Sequence, residues 1–178
     1  MLPYSNMNTN IQERSLIIFK PDSVQRGIVG EILARFEKVG LKIVGVKMLH
    51  PDKAHYHHHY ETIGTVITRH GEKVFEITLA MMDKGPVIAV VLEGIEAVAL
   101  IRKMAGATEP KSALPGTIRG DYAHMSYGHA DASEVGIANI LHASGNKEES
   151  ILEIKHWFNE NELFHYDTVH EKFTQAKK

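Results

Sequence analysis

The chain has 178 residues, the length of one ordinary domain, and its 43% hydrophobic and 24% charged content is that of a soluble globular protein. Twenty Lys and Arg against 22 Asp and Glu leave a net charge of −2, so no overall basic field makes nucleic acid or an anionic membrane the main partner. The absence of cysteine excludes a disulfide scaffold, thiolate metal sites and a cysteine nucleophile, and fits a reducing compartment such as the cytoplasm.

Residues 1–12 are polar, without an apolar run or a basic cluster, and read as a flexible N-terminal segment ahead of a single domain over 13–178. Ser15 to Phe19 is a short apolar run that predicts a strand, stopped by Pro21. Ile28, Val29, Ile32, Leu33, Phe36 and Val39 then recur at helical spacing, and Gly40 stands where a helix C-terminal glycine belongs. Leu41 to Leu49 predicts a second strand, and Asp52 the cap of a short helix through the histidines to Tyr60. Glu61 to Gly71 has no clear period and reads as loop, and Glu72 to Met82 as helix.

After Gly85-Pro86, the apolar run Val87 to Leu92 predicts a strand buried on both faces. Val98, Ile101 and Ala105 mark one face of a helix ended by Gly106. Ala107 to Asp121 reads as a long loop, Tyr122 to Tyr127 as a short fourth strand, Gly128 to Ile137 as loop and Lys147 to Phe158 as helix. No stretch approaches the ~18 apolar residues of a membrane span. The order is α+β, and its split βαβ pattern around a central apolar strand predicts a ferredoxin-like α/β sandwich with a four-stranded antiparallel sheet, βαββαβ.

Four chemistry-bearing residues fall at predicted element ends and loops. They are Lys20 after the first strand, Arg102 opposite the apolar stripe of its helix, Arg119 in Gly116-Thr117-Ile118-Arg119-Gly120-Asp121, and His142 in Asn139-Ile140-Leu141-His142-Ala143-Ser144. Arginine forks match pairs of phosphate oxygens, and lysine supplies a compact charge. Neutral imidazole is a nucleophile toward phosphorus. The chain has neither a P-loop sequence nor a Gly-x-Gly-x-x-Gly after a strand, so side chains would do most of the phosphate holding.

These stretches, together with Phe19-Lys20-Pro21-Asp22-Ser23-Val24-Gln25-Arg26-Gly27, Val29-Gly30-Glu31-Ile32, Gly85-Pro86-Val87 and Glu153 through Trp157-Phe158, resemble the nucleoside diphosphate kinase family in content and order, from about Glu13 to Tyr166. The resemblance implies transfer of the γ-phosphate of a nucleoside triphosphate to a nucleoside diphosphate through a phosphohistidine at His142. It implies that Glu153 orients His142, that Ser144 steadies Glu153, and that Tyr60 lies close to the phosphohistidine. Lys20, Arg102, Thr108 and Arg119 would hold phosphates, Asn139 the ribose, and Phe75 the base. Mg²⁺ would arrive on the nucleotide phosphates, with no metal ligand from the protein, and the family's closed oligomers imply a homo-oligomer, a hexamer by the length of the C-terminal tail.

Departures from the family pattern are Ala143-Ser144-Gly145 after the nucleophile, Ser23 after Lys-Pro-Asp, and Val74 at the base-stacking position with Phe75 beside it. Two stretches are longer than is common in the family, one between Tyr60 and Phe75 and one between Tyr127 and Asn139. A different class of reading, a nucleic-acid-binding or regulatory family member, is opposed by the net charge and by the complete catalytic set. A third starts from His55, His57, His58 and His59: His55 and His59 have a helical spacing suited to metal ligation, but a metal-handling role leaves Lys20, Arg119 and Glu153 unexplained.

Overall fold

The computed structural model describes residues 12–174. Four strands form one antiparallel sheet: β1 (Gln12–Phe19), β2 (Lys42–Leu49), β3 (Val87–Ile95) and β4 (Leu141–Ala143), in the order β2-β3-β1-β4. This is the ferredoxin-like α+β arrangement expected from the sequence. The central strands show why. Leu16 and Ile18 of β1 enter a core with Tyr56, Met82, Val91 and Trp157, while Ile17 and Phe19 enter a second core with Phe36, Val90, Ile101 and Ile118. Alternate side chains point to opposite faces of a strand, so an unbroken apolar run requires cover on both.

Helices supply that cover. They are α1 (Pro21–Gln25), α2 (Val29–Lys38), α3 (Lys53–His57), α4 (Val66–His70), α5 (Glu72–Met82), α6 (Ala97–Ala105), α7 (Ile118–Tyr122), α8 (Tyr127–Ala132), α9 (Lys147–Trp157) and α10 (Glu171–Thr174). A π-helical turn, His58–Ile63, continues α3.

The structure corrects several boundaries. The flexible-segment expectation for 1–12 lies outside the described residues except at Gln12, which already pairs with Ile95 in β1. The fourth strand is Leu141–Ala143, not Tyr122 to Tyr127. The latter segment ends α7 and leads into α8, whose start is fixed by the Ser126 side chain accepting from His129 N at 3.2 Å. The expected loops 61–71 and 128–137 contain α4 and most of α8, and the expected loop 107–121 contains most of α7. Short helices of five or six residues carry too few periodic positions to stand out from loop.

The two longer stretches meet. Lys73 pairs with Glu134 at 2.5 Å, and Gly136 packs so closely on Met81 that an added Cβ would lie 2.8 Å from its side chain. The C-terminal tail covers the β2 edge: Phe164 N donates to Val44 O at 2.7 Å and the Tyr166 hydroxyl to Ile43 O at 2.7 Å. Covering an outer strand in this way removes a site for unwanted strand pairing.

Candidate active site

β4 carries the centre of the site. Ser144 N donates to Leu16 O, and Ile18 and His142 are register partners, so the His142 segment is held against β1. The connection into β4 is strained. Ile140 has φ +77° and is fully buried, and Leu141 N donates to Asn139 O at 2.9 Å, closing a γ-turn around it. A β-branched residue at positive φ persists only where its surroundings hold it. Here Ile140 N donates to Asp22 Oδ2 at 3.0 Å, and Ile140 O accepts from Lys20 N at 3.0 Å.

Arg119 secures the same turn from the other side. Thr117 caps α7, accepting from Gly120 N at 3.2 Å, and this sets Arg119 in the first turn of the helix. The guanidinium is buried and donates to Asn139 O at 3.2 Å, Gly106 O at 2.8 Å and Leu141 O at 2.8 Å. Those bonds use three of its five N–H groups and leave two to aim at a ligand. Arg102, on the exposed face of α6, has no hydrogen bond or ion pair among the described residues. Burial and the nearby Arg102 charge lower Arg119 to about 10. Two guanidiniums close enough to repel, with no carboxylate pairing either among the described residues, describe an anion site.

Lys20 completes the cationic group. Its Nζ, almost fully buried, donates to Asn139 Oδ1 at 2.7 Å, and Asn139 Nδ2 donates to Thr108 O at 2.8 Å. Burial lowers Lys20 to about 8, against the pull of Asp22 and with the push of Arg119. Asn139 thus ties together Lys20, Thr108, Arg119 and the strained turn, while the Thr108 side chain is exposed.

His142 Nε2 lies 2.8 Å from Glu153 Oε1, and the Ser144 hydroxyl donates to Glu153 Oε2 at 2.5 Å. Asn146 caps α9 by accepting from Glu149 N at 2.8 Å, which places Glu153 under the imidazole. Burial would raise the Glu153 carboxyl, but the His142 charge and the hydrogen bonds from His142 and Ser144 outweigh it and hold the group below its ordinary value. A carboxylate bound to Nε2 sets the tautomer with Nδ1 bare. Among the described residues Nδ1 has no hydrogen-bond partner.

Tyr60 and His59 reach this centre from the π-helical turn. Both are buried, and the Tyr60 hydroxyl has no partner among the described residues. Burial raises its pKa far above the ordinary tyrosine value. The histidine pair expected to share a face is split. His55 stacks on His156 with ring centroids 3.9 Å apart, whereas His59 turns inward toward His142. His59, His142 and Glu153 each bring a possible ligand atom within 4.8 Å of the others, and no other such trio converges among the described residues. Their ligand atoms are already engaged in hydrogen bonds within the protein: His142 Nε2 binds Glu153, and His59 Nδ1 accepts from Trp157 Nε1 at 3.2 Å.

Phe75 is not available as a base platform. It is 6% exposed and packs with Tyr56, Tyr60 and Met81, its ring edge-on to His57, while Val74 beside it is the exposed residue. The helical phase of α5 turns position 75 into the core and position 74 to solvent.

The family model described as nucleoside diphosphate kinase matches residues 13–163, which include every site residue named above. The chain belongs to the nucleoside diphosphate kinase family. A curated nucleoside diphosphate kinase of Pyrococcus furiosus is 45% identical over 169 residues, covering 95% of this chain and 97% of its own. The solved Borrelia burgdorferi nucleoside diphosphate kinase, a transition-state mimic with bound vanadate and ADP, is 39% identical with a TM-score of 0.89, covering 92% of this chain and 97% of its own. The Halobacterium salinarum nucleoside diphosphate kinase in complex with CDP is 34% identical with a TM-score of 0.78, covering 93% and 99%. As a nucleoside diphosphate kinase family member this chain is a phosphotransferase, and in it the partly exposed His142 rests on the buried Glu153 and Ser144.

Proposed function

We propose that the enzyme transfers the γ-phosphate of a nucleoside triphosphate to a nucleoside diphosphate by a ping-pong mechanism through phospho-His142. The observation that carries this reading is the pairing of His142 Nε2 with a buried Glu153 held below its ordinary pKa, which leaves Nδ1 without a partner among the described residues, on a strand whose lead-in turn is held by Lys20 and Arg119. In the first half, that lone pair attacks the γ-phosphorus. The N–P bond forms as the bond to the bridging oxygen breaks, and the electron pair leaves on the β-phosphate of the departing diphosphate. Glu153 balances the positive charge that develops on the imidazole. In the second half, a terminal oxygen of the acceptor diphosphate attacks the same phosphorus and the N–P pair returns to Nδ1. One site serving donor and acceptor in turn makes positioning and charge stabilisation the main catalytic devices.

Lys20, Arg102, Arg119 and Thr108 are the phosphate-holding set in this reading, Asn139 lies toward the ribose, and Tyr60 offers its unpartnered hydroxyl to the phosphoryl group. Mg²⁺ fits as a guest of the phosphates, since Glu153 is committed to His142 and Ser144 and Asp22 Oδ2 accepts from Ile140 N. When bound it would supply charge neutralisation to the nucleotide phosphates. The cysteine-free chain suits a cytoplasmic enzyme, and among the described residues no helix is long and apolar enough to cross a membrane.

Incubation with Mg-ATP labelled in the γ-phosphate should give an acid-labile, alkali-stable phosphoenzyme that passes its label to added nucleoside diphosphate. Absence of that intermediate during active exchange would refute the mechanism.

Glu153→Gln preserves much of the hydrogen bonding but removes the negative charge. Transfer should slow by about 10²-fold with nucleotide binding retained, as for other losses of proton and orientation control. Pre-steady-state phosphorylation rates measure it, and a wild-type rate would show that another group orients the imidazole.

Lys20 gives a proton-linkage prediction. Its folded pKa of about 8 leaves it half deprotonated near that pH, and a bound polyphosphate favours the charged form. Nucleotide binding at about pH 8 therefore takes up protons. Calorimetry in two buffers of different ionisation enthalpy reads the uptake, and Lys20→Met should remove it.

We also propose a closed homohexamer. The exposed apolar residues Leu114, Phe164, Val169 and Phe173 of the long loop and tail are the surfaces such an assembly would cover. Light scattering that reads a stable monomer at micromolar protein would refute it.

A further inference from the structure

Trp157 ends α9, is 2% exposed, and makes a polar contact with a histidine of the π-helical turn: its Nε1–H donates to His59 Nδ1 at 3.2 Å. An indole nitrogen is only a donor, so His59 Nδ1 accepts, and a neutral imidazole that accepts at Nδ1 carries its proton on Nε2. That same Nδ1 lies 3.9 Å from Glu153 Oε1, the oxygen that binds His142 Nε2 at 2.8 Å. The His59 and His142 rings stand edge to face, with centroids 4.7 Å apart and planes at 82°. Two imidazoles thus face one buried carboxylate oxygen, and the indole decides which of them is free to bring a proton to it.

We infer that Trp157 is a positioning residue for phosphoryl transfer that acts through His59: by donating to Nδ1 it keeps His59 in the neutral Nε2–H form and so reserves Glu153 Oε1 for His142. The inference rests on His142 being the nucleophile. His59 is enclosed by groups from every element packed on it, namely His142 of β4, Glu153 and His156 of α9, His55 of α3, and Lys20 at the end of β1. Burial, then the charges of His142, His156, His55 and Lys20, hold its pKa well below the ordinary histidine value. The indole N–H adds to this by stabilising the lone pair. Without it, Nδ1 is open to a proton, and a protonated His59 competes for the carboxylate that orients His142. The sign follows: the competing form gains as the pH falls, so losing the indole N–H moves the acid limb of phosphorylation to higher pH.

Two measurements test this. Long-range proton–nitrogen NMR of the ¹⁵N-histidine-labelled wild-type enzyme should show His59 protonated at Nε2 and bare at Nδ1 from about pH 6 to pH 8. A proton on Nδ1 in that range overturns the inference, whatever any variant does. The second measurement is the pH profile of His142 phosphorylation by Mg-ATP for Trp157→Phe in two backgrounds, wild type and His59→Asn. Asparagine at this position offers the indole an acceptor but forms no cation. Trp157→Phe should slow phosphorylation by up to about threefold near pH 6 and move the acid limb up by about half a unit in the wild-type background, with neither change in the His59→Asn background. Equal slowing in both backgrounds, or none in the first, overturns the inference by reducing Trp157 to a packing residue. Labelling of the wild-type enzyme at a residue other than His142, seen in the same assay, refutes the nucleophile reading instead.

Discussion

His142→Ala is expected to lose the phosphoenzyme entirely and to lower nucleotide exchange by about 10⁴-fold or more, the scale on which removal of a covalent nucleophile acts. No other imidazole near the site can take over. His59 is buried with its Nδ1 occupied by Trp157, and His55 and His156 stack on each other. The cations remain in the variant, so nucleotide binding should persist, which separates loss of chemistry from loss of the site. The variant also strips Glu153 Oε1 of its main partner, leaving a buried carboxylate bound by Ser144 alone. That should cost about 1–3 kcal/mol of stability and raise the Glu153 pKa. Labelling with Mg-ATP, equilibrium nucleotide binding and thermal unfolding read the three effects. Full labelling at another residue would overturn the assignment.

Arg119→Met should be nearly as damaging, for two reasons that a control can separate. The guanidinium supplies the donors for three backbone carbonyls, those of Gly106, Asn139 and Leu141. Removing it leaves acceptors buried without partners and releases one restraint on the positive φ of Ile140. The expected loss is about 3–5 kcal/mol, a fall in Tm of roughly 10 °C or more for a domain of this size. Transfer should fall by about 10³-fold, as when an arginine facing a phosphoryl group is removed. Arg102→Met is the control. That side chain is exposed and has no such bonds among the described residues, so it should raise KM for nucleotides with Tm unchanged. If Arg119→Met melts like the wild type, water or a rearranged turn satisfies the carbonyls and Arg119 acts on phosphate alone.

Much of the fold was legible because its signals are local. The run Val87 to Leu92 demanded two buried faces and has them, and the apolar stripe of α2 followed its periodicity. Residue types marked Lys20, Arg119 and His142, the family resemblance marked Asn139, Ser144 and Glu153, and the fold brings these together. β4 was not legible. Three residues with a histidine in the middle make no pattern, and their strand character comes from pairing with β1, more than 120 positions away.

The choice between Val74 and Phe75 likewise depended on the rotation of α5 against the core, which no spacing in the sequence sets. Nor did anything at Ile140 announce a positive φ, since a β-branched residue there is stable only because Asp22, Lys20 and Arg119 hold the turn from three directions. The sequence by itself determined the family, the chemical types of the site and the two-sided core, because these reside in side-chain identity and short-range period. Only the tertiary structure decided that Arg119 is buried and braces the backbone, that His55 and His59 part company, and that Trp157 reaches His59. Each of these depends on which distant groups fill a hydrogen-bonding site once water is excluded, and that follows from packing alone.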